Sequence, residues 1–250
     1  MRFALGALLL VSLSVSAAEA PLRFVVSDSW AMPMVQMERG GRPTQGILHD
    51  IMLSLATQVG MPAQFHVLPR ARVQNAMEHG EVDVRCYISQ SWLPNLSGNY
   101  IWSVPLLVQR DLLIARRDSP TSVNLADLPR QSIGTVRGYN YPTLQPLFDA
   151  DRLHREDARN QEQVLDKLLA GRYQYAVSNQ WTLDWFNQRL LPDRQLQSVA
   201  LVHEQTVGCY VRNDPKVPVQ RILNTLQHMK MSGEIDDIIR LYTGNPAANQ

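Results

Sequence analysis

The sequence predicts an α/β protein made of two similarly built lobes, and three features of the chain carry that expectation. Residues 22–88 alternate strand, helix, strand, helix, strand, the rhythm of an open and mainly parallel sheet with helices on its faces. The alternation resumes between residues 132 and 177 without recognisable repetition of sequence, as expected of a second lobe with the same architecture. Two long extended stretches, Tyr100 to Arg116 and Val199 to Arg212, stand outside the alternation.

Taken in order, Leu22 to Asp28 (LRFVVSD) is a short β-rich run that ends in a loop holding Trp30 and Pro33. After Gly46, Ile47, Leu48, Ile51, Met52, Leu55 and Val59 recur at three-to-four-residue spacing, which predicts a helix stopped by Gly60. A strand over Gln64 to Leu68, a short helix over Arg72 to Met77 and a strand over Val82 to Ile88 follow. Pro105 breaks the first extended stretch. Beyond it, Asn124 caps a single turn, Ser132 to Val136 reads as a strand, and Gly138 lies in the loop before a helix near Thr143 to Phe148. Asn160 caps a helix carrying Val164, Leu165, Leu168 and Leu169, and Tyr175 to Val177 is a strand. After the second extended stretch, Gly233 separates a helix marked by Val219, Ile222, Leu223 and Leu226 from one marked by Ile235, Ile238, Ile239 and Tyr242. The tail after Gly244 has nothing to bury and is expected to fray.

Residues 1–20, MRFALGALLLVSLSVSAAEA, read as a secretory leader: one Arg, an apolar run from Phe3 to about Val15, and small residues ending near Ala18. The run is shorter than the roughly 20 residues of a membrane span, and Pro21 disfavours cleavage after Ala20, so residues 1–18 are the expected leader. No cysteine stands there for a lipid anchor. The formal charge is +1, and no basic block invites nucleic acid or an anionic membrane surface. Cys86 and Cys209 are the only cysteines and do not form a Cys-x-x-Cys pair, so redox catalysis is not expected. In an oxidising compartment either a single bridge or two buried thiols fits. The six histidines lack the spacing of a metal site, and neither metal nor cofactor is expected.

Several segments, in their order, resemble the family 3 periplasmic solute-binding proteins that serve polar amino acid import. They are GILHDIMLSLATQVG at Gly46 to Gly60, AMEHGEVDV at Ala76 to Val84, and the Trp102-Ser103-Val104-Pro105 step. LADLPRQSIGTVRGYNY at Leu125 to Tyr141, VLDKLLAGRYQYAVSN at Val164 to Asn179, and VGCYVRNDP followed by MSGEIDDIIRLYTG complete the set. The resemblance implies a two-lobed periplasmic-binding-protein fold of type II, with the two extended stretches as hinge crossings and a small solute held in the cleft. It implies a first lobe of residues 19–107 plus 207–245, a second of 108–206 and a frayed tail at 246–250. It also makes the strands holding Cys86 and Cys209 neighbours, so that a bridge forms if both sulfurs share a face. Further implications are a periplasmic monomer and an inner-membrane ABC permease as partner.

A buried α-amino acid needs a cation for its carboxylate and an anion for its ammonium, since either charge left unpaired costs several kcal/mol. By the resemblance, the position of the family's carboxylate-binding Arg falls on Asn95 counting from Asp83, or on Leu96 counting back from Trp102, and that of its ammonium-binding Asp falls on Asn179. Loss of both charges points away from a standard α-amino acid, toward another small polar or aromatic solute. Arg70, Arg72 or Arg85 could supply a cation from elsewhere, although a salt-bridged or edge-facing role also fits Arg85. By the resemblance, Trp30, Tyr87, Trp92, Tyr139 and Tyr141 face the cleft, where aromatic rings stack on planar or cationic groups. Ser89 and Gln90 match ligand-bonding positions, and the loop Arg137-Gly138-Tyr139-Asn140 precedes a helix N-terminus suited to an anion or carbonyl oxygen.

The leading expectation is therefore a receptor that captures a solute by closing two lobes. An enzyme similar to periplasmic cyclohexadienyl dehydratases is the alternative, with Asp28 and Glu204 as the nearest acid or base candidates. A soluble ligand-sensing partner of a membrane receptor uses the same closure and stays open beside them.

Overall fold

The structure is a computed structural model that describes residues 20–93 and 95–244. The leader expected at 1–18 and the tail at 246–250 lie outside the described residues. The chain runs β1 (Leu22–Ser27), β2 (Gln36–Met37), β3 (Pro43–Gln45), α1 (Ile47–Val59), β4 (Ala63–Leu68), α2 (Arg70–Glu78), β5 (Val84–Ile88) and β6 (Tyr100–Trp102). It continues through β7 (Leu107–Arg116), β8 (Gln131–Val136), α3 (Gln145–Asp149), β9 (Leu153–Ala158), α4 (Gln161–Leu169) and β10 (Tyr175–Asn179). α5 (Gln180–Asn187), β11 (Leu196–Arg212), α6 (Val219–Met231) and α7 (Glu234–Thr243) end it.

The strand order is β4-β1-β5-β11-β7-β10-β8-β9, with β6 also on β11 and a separate β2-β3 hairpin. β1 is parallel to β4 and β5, and β8 is parallel to β9 and β10. These two parallel sets are joined by the antiparallel ribbon of β7 and β11. β11 is 17 residues long: Leu196 to Val207 pair with β7, and Gly208 to Arg212 pair with β5 and β6. No helix among the described residues is long and apolar enough to cross a membrane.

The hydrophobic core divides the same way. Phe24, Ile51, Leu55, Val84, Ile222 and Ile239 belong to one buried cluster. Ile114, Val136, Leu165, Ala176 and Phe186 belong to another. α1 illustrates why the elements form: its buried residues are those of the predicted apolar stripe, joined by His49 and Ala56. It ends because Gly60 takes φ 81, a left-handed conformation only glycine adopts without strain, while the Met61 N–H returns to the Ala56 carbonyl at 3.0 Å. Trp181 of α5 is the exception to the division, since it packs into the first cluster.

The short β2–β3 hairpin, β9 and α5 escape the sequence pattern. β9 reads LHREDA, with only Leu153 and Ala158 buried, because it is an edge strand paired on one side to β8. α5 follows β10 without a loop, Asn179 being the last strand residue and the helix N-cap at once. α2 starts at Arg70, two residues before the expected position.

Cys86 and Cys209 are directly opposed in the β5–β11 pairing and are joined in a disulfide. Nearby, Asp83 is 4% exposed and lies between two guanidinium groups. Its Oδ2 accepts from Arg23 Nε at 2.8 Å, and its Oδ1 accepts from Arg23 Nη2 at 2.6 Å and Arg212 Nη2 at 2.9 Å. Burial opposes ionisation, but the Arg23 and Arg212 hydrogen bonds outweigh it and hold the carboxyl below its usual range. The network ties β1 to the end of β11. Asp83→Ala leaves two partly buried cations without it and is expected to lower unfolding free energy by about 3–5 kcal/mol in urea titrations. Because the folded pKa is depressed, the wild-type advantage over the variant is present above the ordinary carboxylate pKa. It should fade as pH falls through the lowered value.

Candidate functional site

A cleft opens where the β7–β11 ribbon passes between the two halves of the sheet, with about 900 Å³ of space when its open mouth is included. Ser27, Trp30, Arg70, Arg85, Tyr87 and Trp92 line it from one side. Tyr139, Asn140, Tyr141, Thr143 and Gln161 line the other, and Gln109, Asp111, His203 and Gln205 of the ribbon form its back.

Tyr87 is the hub. Ile88 pairs with Gly208 and Cys86 with Cys209, so Tyr87 is the extra residue of a β-bulge, and its φ is 58. A bulky residue in the left-handed region is strained, and such bulges re-aim side chains. Here the bulge turns the phenol into the cleft. Trp30 and Trp92 meet the ring edge-on, each with centroids 6.2 Å away, and Trp181 lies at 6.1 Å. Its hydroxyl accepts from Asn179 Nδ2 at 3.4 Å, a contact between the two halves. Burial, with a contribution from Asp111, drives its pKa well above the usual phenol value, so the ring stays neutral.

Across the cleft, the Tyr139 ring faces the Arg70 guanidinium, 5.4 Å from the ring centre. Arg155 fixes the loop that carries Tyr139 by donating from Nη1 to its carbonyl at 2.9 Å and from Nη2 to the Val136 carbonyl at 2.8 Å. The Tyr141 hydroxyl accepts from the Val136 N–H at 3.0 Å, which anchors the ring rather than leaving its polar end for a ligand. Asp111 lies at the back, where its Oδ1 accepts from Gln109 Nε2 at 2.8 Å. Burial raises its carboxyl pKa despite that bond and the opposing influence of His203.

Of the residues singled out from the sequence, Trp30, Tyr87, Tyr139 and Asn140 line the cleft, as do Trp92 and Tyr141. Arg72 is exposed on α2, Arg137 is exposed at the end of β8, and Asn95 is exposed in a turn; none borders the cleft. The α2 helical turn places Arg70 toward the cleft and Arg72 toward solvent. Ser89 and Gln90 stand beyond the lining, where Ser89 Oγ meets Ser91 Oγ at 3.0 Å and Gln90 is exposed. Asn179 sits behind Tyr87, its Oδ1 accepting from the Thr182 N–H at 2.8 Å to cap α5. Asp28 borders a separate flank depression, and Glu204 accepts from Arg110 Nε at 2.6 Å, so neither proposed acid reaches the lining. The sequence reading missed Asp111, Gln109, Gln161 and His203. Asp111 had a signal, a lone carboxylate before the apolar run Leu112 to Ala115.

No protein-family model matches the chain, and no curated protein matches it. Solved structures match well. An ancestral arginine-binding protein bound to arginine superposes with a TM-score of 0.72 at 17% identity, covering 90% of this chain and 99% of that one. The GluR0 ligand-binding core from Nostoc punctiforme in complex with L-glutamate gives 0.70 at 16% identity, covering 90% of this chain and 100% of that one. The ancestral amino acid-binding protein AncCDT-1, a precursor of cyclohexadienyl dehydratase, gives 0.71 at 16% identity, covering 90% and 96%. The chain therefore has the two-lobed periplasmic-binding-protein fold that the resemblance implied.

The half-buried Asp111 yields a signed test. Its folded pKa is raised, so wild-type stability relative to Asp111→Asn is greatest below the ordinary carboxylate pKa of 3.8 and declines as pH rises through the folded value. Asp111→Asn is expected to raise the melting temperature by a few degrees at neutral pH, with the gain vanishing in acid. Melting curves across pH check this, and a gain that persists below pH 3.8 contradicts it.

Proposed function

We propose that this protein is a periplasmic solute receptor of the family 3 type, capturing a small polar or aromatic solute and presenting it to an inner-membrane ABC permease. The observation that carries this reading is a cleft lined from both lobes and backed by the ribbon that joins them. A ligand in such a cleft contacts both lobes only when they are closed, so binding favours closure. Residues 19–107 plus 207–245 form the first lobe in this reading and 108–206 the second. A leader removed near Ala18 delivers the chain as a monomer.

The similar solved structures include proteins bound to arginine and to L-glutamate. A standard α-amino acid is nevertheless not the proposed ligand here. Asn95 stands outside the cleft, and Asn179 caps a helix. A second reading, an enzyme of the dehydratase type, is favoured by one observation. Asp111 is a half-buried carboxyl of raised pKa at the back of the cleft, a fit position for a general acid. Turnover of prephenate-like acids, lost in Asp111→Asn, separates it from stoichiometric binding.

A thermal-shift screen of amines, organic acids, aromatic metabolites and amino acids tests the receptor. A ligand at a hundred times its Kd stabilises by about 2.7 kcal/mol, roughly 5–10 °C for a chain of this size. Small-angle scattering should then show a smaller radius of gyration with the hit than without it. A tight ligand that leaves the radius and the tryptophan fluorescence unchanged would falsify closure.

A further inference from the structure

We infer that the cleft takes a solute carrying an oxyanion, held by Arg70 and Arg85, with a planar body against the Trp30, Tyr87 and Tyr139 rings. The inference rests on the receptor reading and names its ligand class.

Arg70 opens α2 directly after Pro69, and Arg85 lies on β5 two residues before Tyr87, so two elements of one lobe aim guanidinium groups into one cleft. Neither has a carboxylate partner among the described residues. Arg70 faces the Tyr139 ring, and Arg85 approaches the Tyr210 ring at 5.9 Å and its hydroxyl at 3.4 Å. Other arginines of the same lobe differ: Arg23 and Arg212 both bind Asp83. The two cleft cations also oppose each other. Burial pulls the Arg70 pKa down and Arg85 adds to that effect.

Asp111 does not neutralise them. Its hydrogen bond goes to Gln109 and its nearest opposing cationic influence is His203, on the ribbon. Asp28 lies on the flank and Glu204 is paired with Arg110. Two like charges held together without a counter-ion destabilise the empty site, and a ligand oxyanion relieves both at once. Guanidinium groups suit this task because they present parallel N–H donors to a carboxylate or a phosphate. The aromatic walls supply stacking surface for a flat body beside the anion.

Calorimetric titration of the full chain with 3-phenylpropanoate, phenyl phosphate and 3-phenylpropanamide tests this. At least one anion should bind, with the amide weaker by roughly tenfold or more. The preferred anion distinguishes a carboxylate from a phosphate-type ligand. Arg70→Gln and Arg85→Gln should each weaken the anion by roughly 10- to 100-fold, weaken the amide several-fold less, and raise the melting temperature of the ligand-free protein. Failure of both anions to bind at millimolar concentration overturns the inference. So does an amide as tight as the anion, or an anion affinity untouched in both variants. The two readings fail separately. Compaction by the amide but not by the anions leaves a receptor with a different ligand class, whereas anion binding without compaction leaves the anion site and removes the receptor.

Discussion

The antiparallel pairing of β7 with β11 is the constraint on which the rest of the structure depends. Both chain crossings and all the strand pairing between the two parallel sets run through it, because β5 and β10 pair with opposite members of the ribbon. The ribbon is also the back wall of the cleft, and Gln109, Asp111, His203 and Gln205 are carried on it. A two-stranded ribbon twists more readily than a broad sheet. The element that defines the site is therefore also the most compliant link between the halves. A register shift between Leu201 and His203 interrupts the ladder where it borders the cleft, and another lies between Ser198 and Ala200, beyond the lining. Bulges of this kind loosen pairing and bend the strand locally.

At the first lobe's end of the ribbon the opposite holds. The Cys86–Cys209 bond, the pairing of β11 with β5 and β6, and the Asp83 network fasten β11 to its neighbours. The strained backbone of Tyr87 sits beside the disulfide. A left-handed tyrosine persists only where its surroundings over-determine it. The bond on one side and three indole rings around the phenol provide that. The cleft wall that carries Arg85 and Tyr87 is thus the one braced by a covalent bond and a buried ion network.

Most of the fold was legible in the sequence because periodicity and caps agree with it: the α1 stripe, Asn124, Asn160 and Gly233 stand where the pattern puts them. β9 was not, because an edge strand of charged residues carries no alternation. α5 was not, because Asn179 serves two elements and leaves no loop to read. The site was less legible still. Aromatic residues at strand ends could be placed, but the choice among Arg70, Arg72 and Arg85 turns on helical phase at the start of α2. Side-chain direction there is set by tertiary packing of Val73, Ala76 and Met77, not by the local sequence. Counting by resemblance led to Asn95, but the turn carrying it faces solvent and does not border the cleft.

Asn179 bonds in two directions at once. Its Oδ1 accepts the Thr182 N–H that opens α5, which leaves Nδ2 directed at the Tyr87 hydroxyl. The cap fixes the amide orientation, because exchanging its oxygen and nitrogen would set a donor against a backbone donor. Asn179 therefore turns a hydrogen-bond donor toward Tyr87 at the interlobe contact. The cations of the cleft stand on α2 and β5, on the opposite wall from α5. Charge at this site is therefore asymmetric, with positive groups on one wall and a carboxyl of raised pKa on the ribbon. If the proposed anion site holds, that asymmetry favours a solute whose single charged end is negative and meets the Arg70 and Arg85 wall, with an uncharged remainder toward the other lobe.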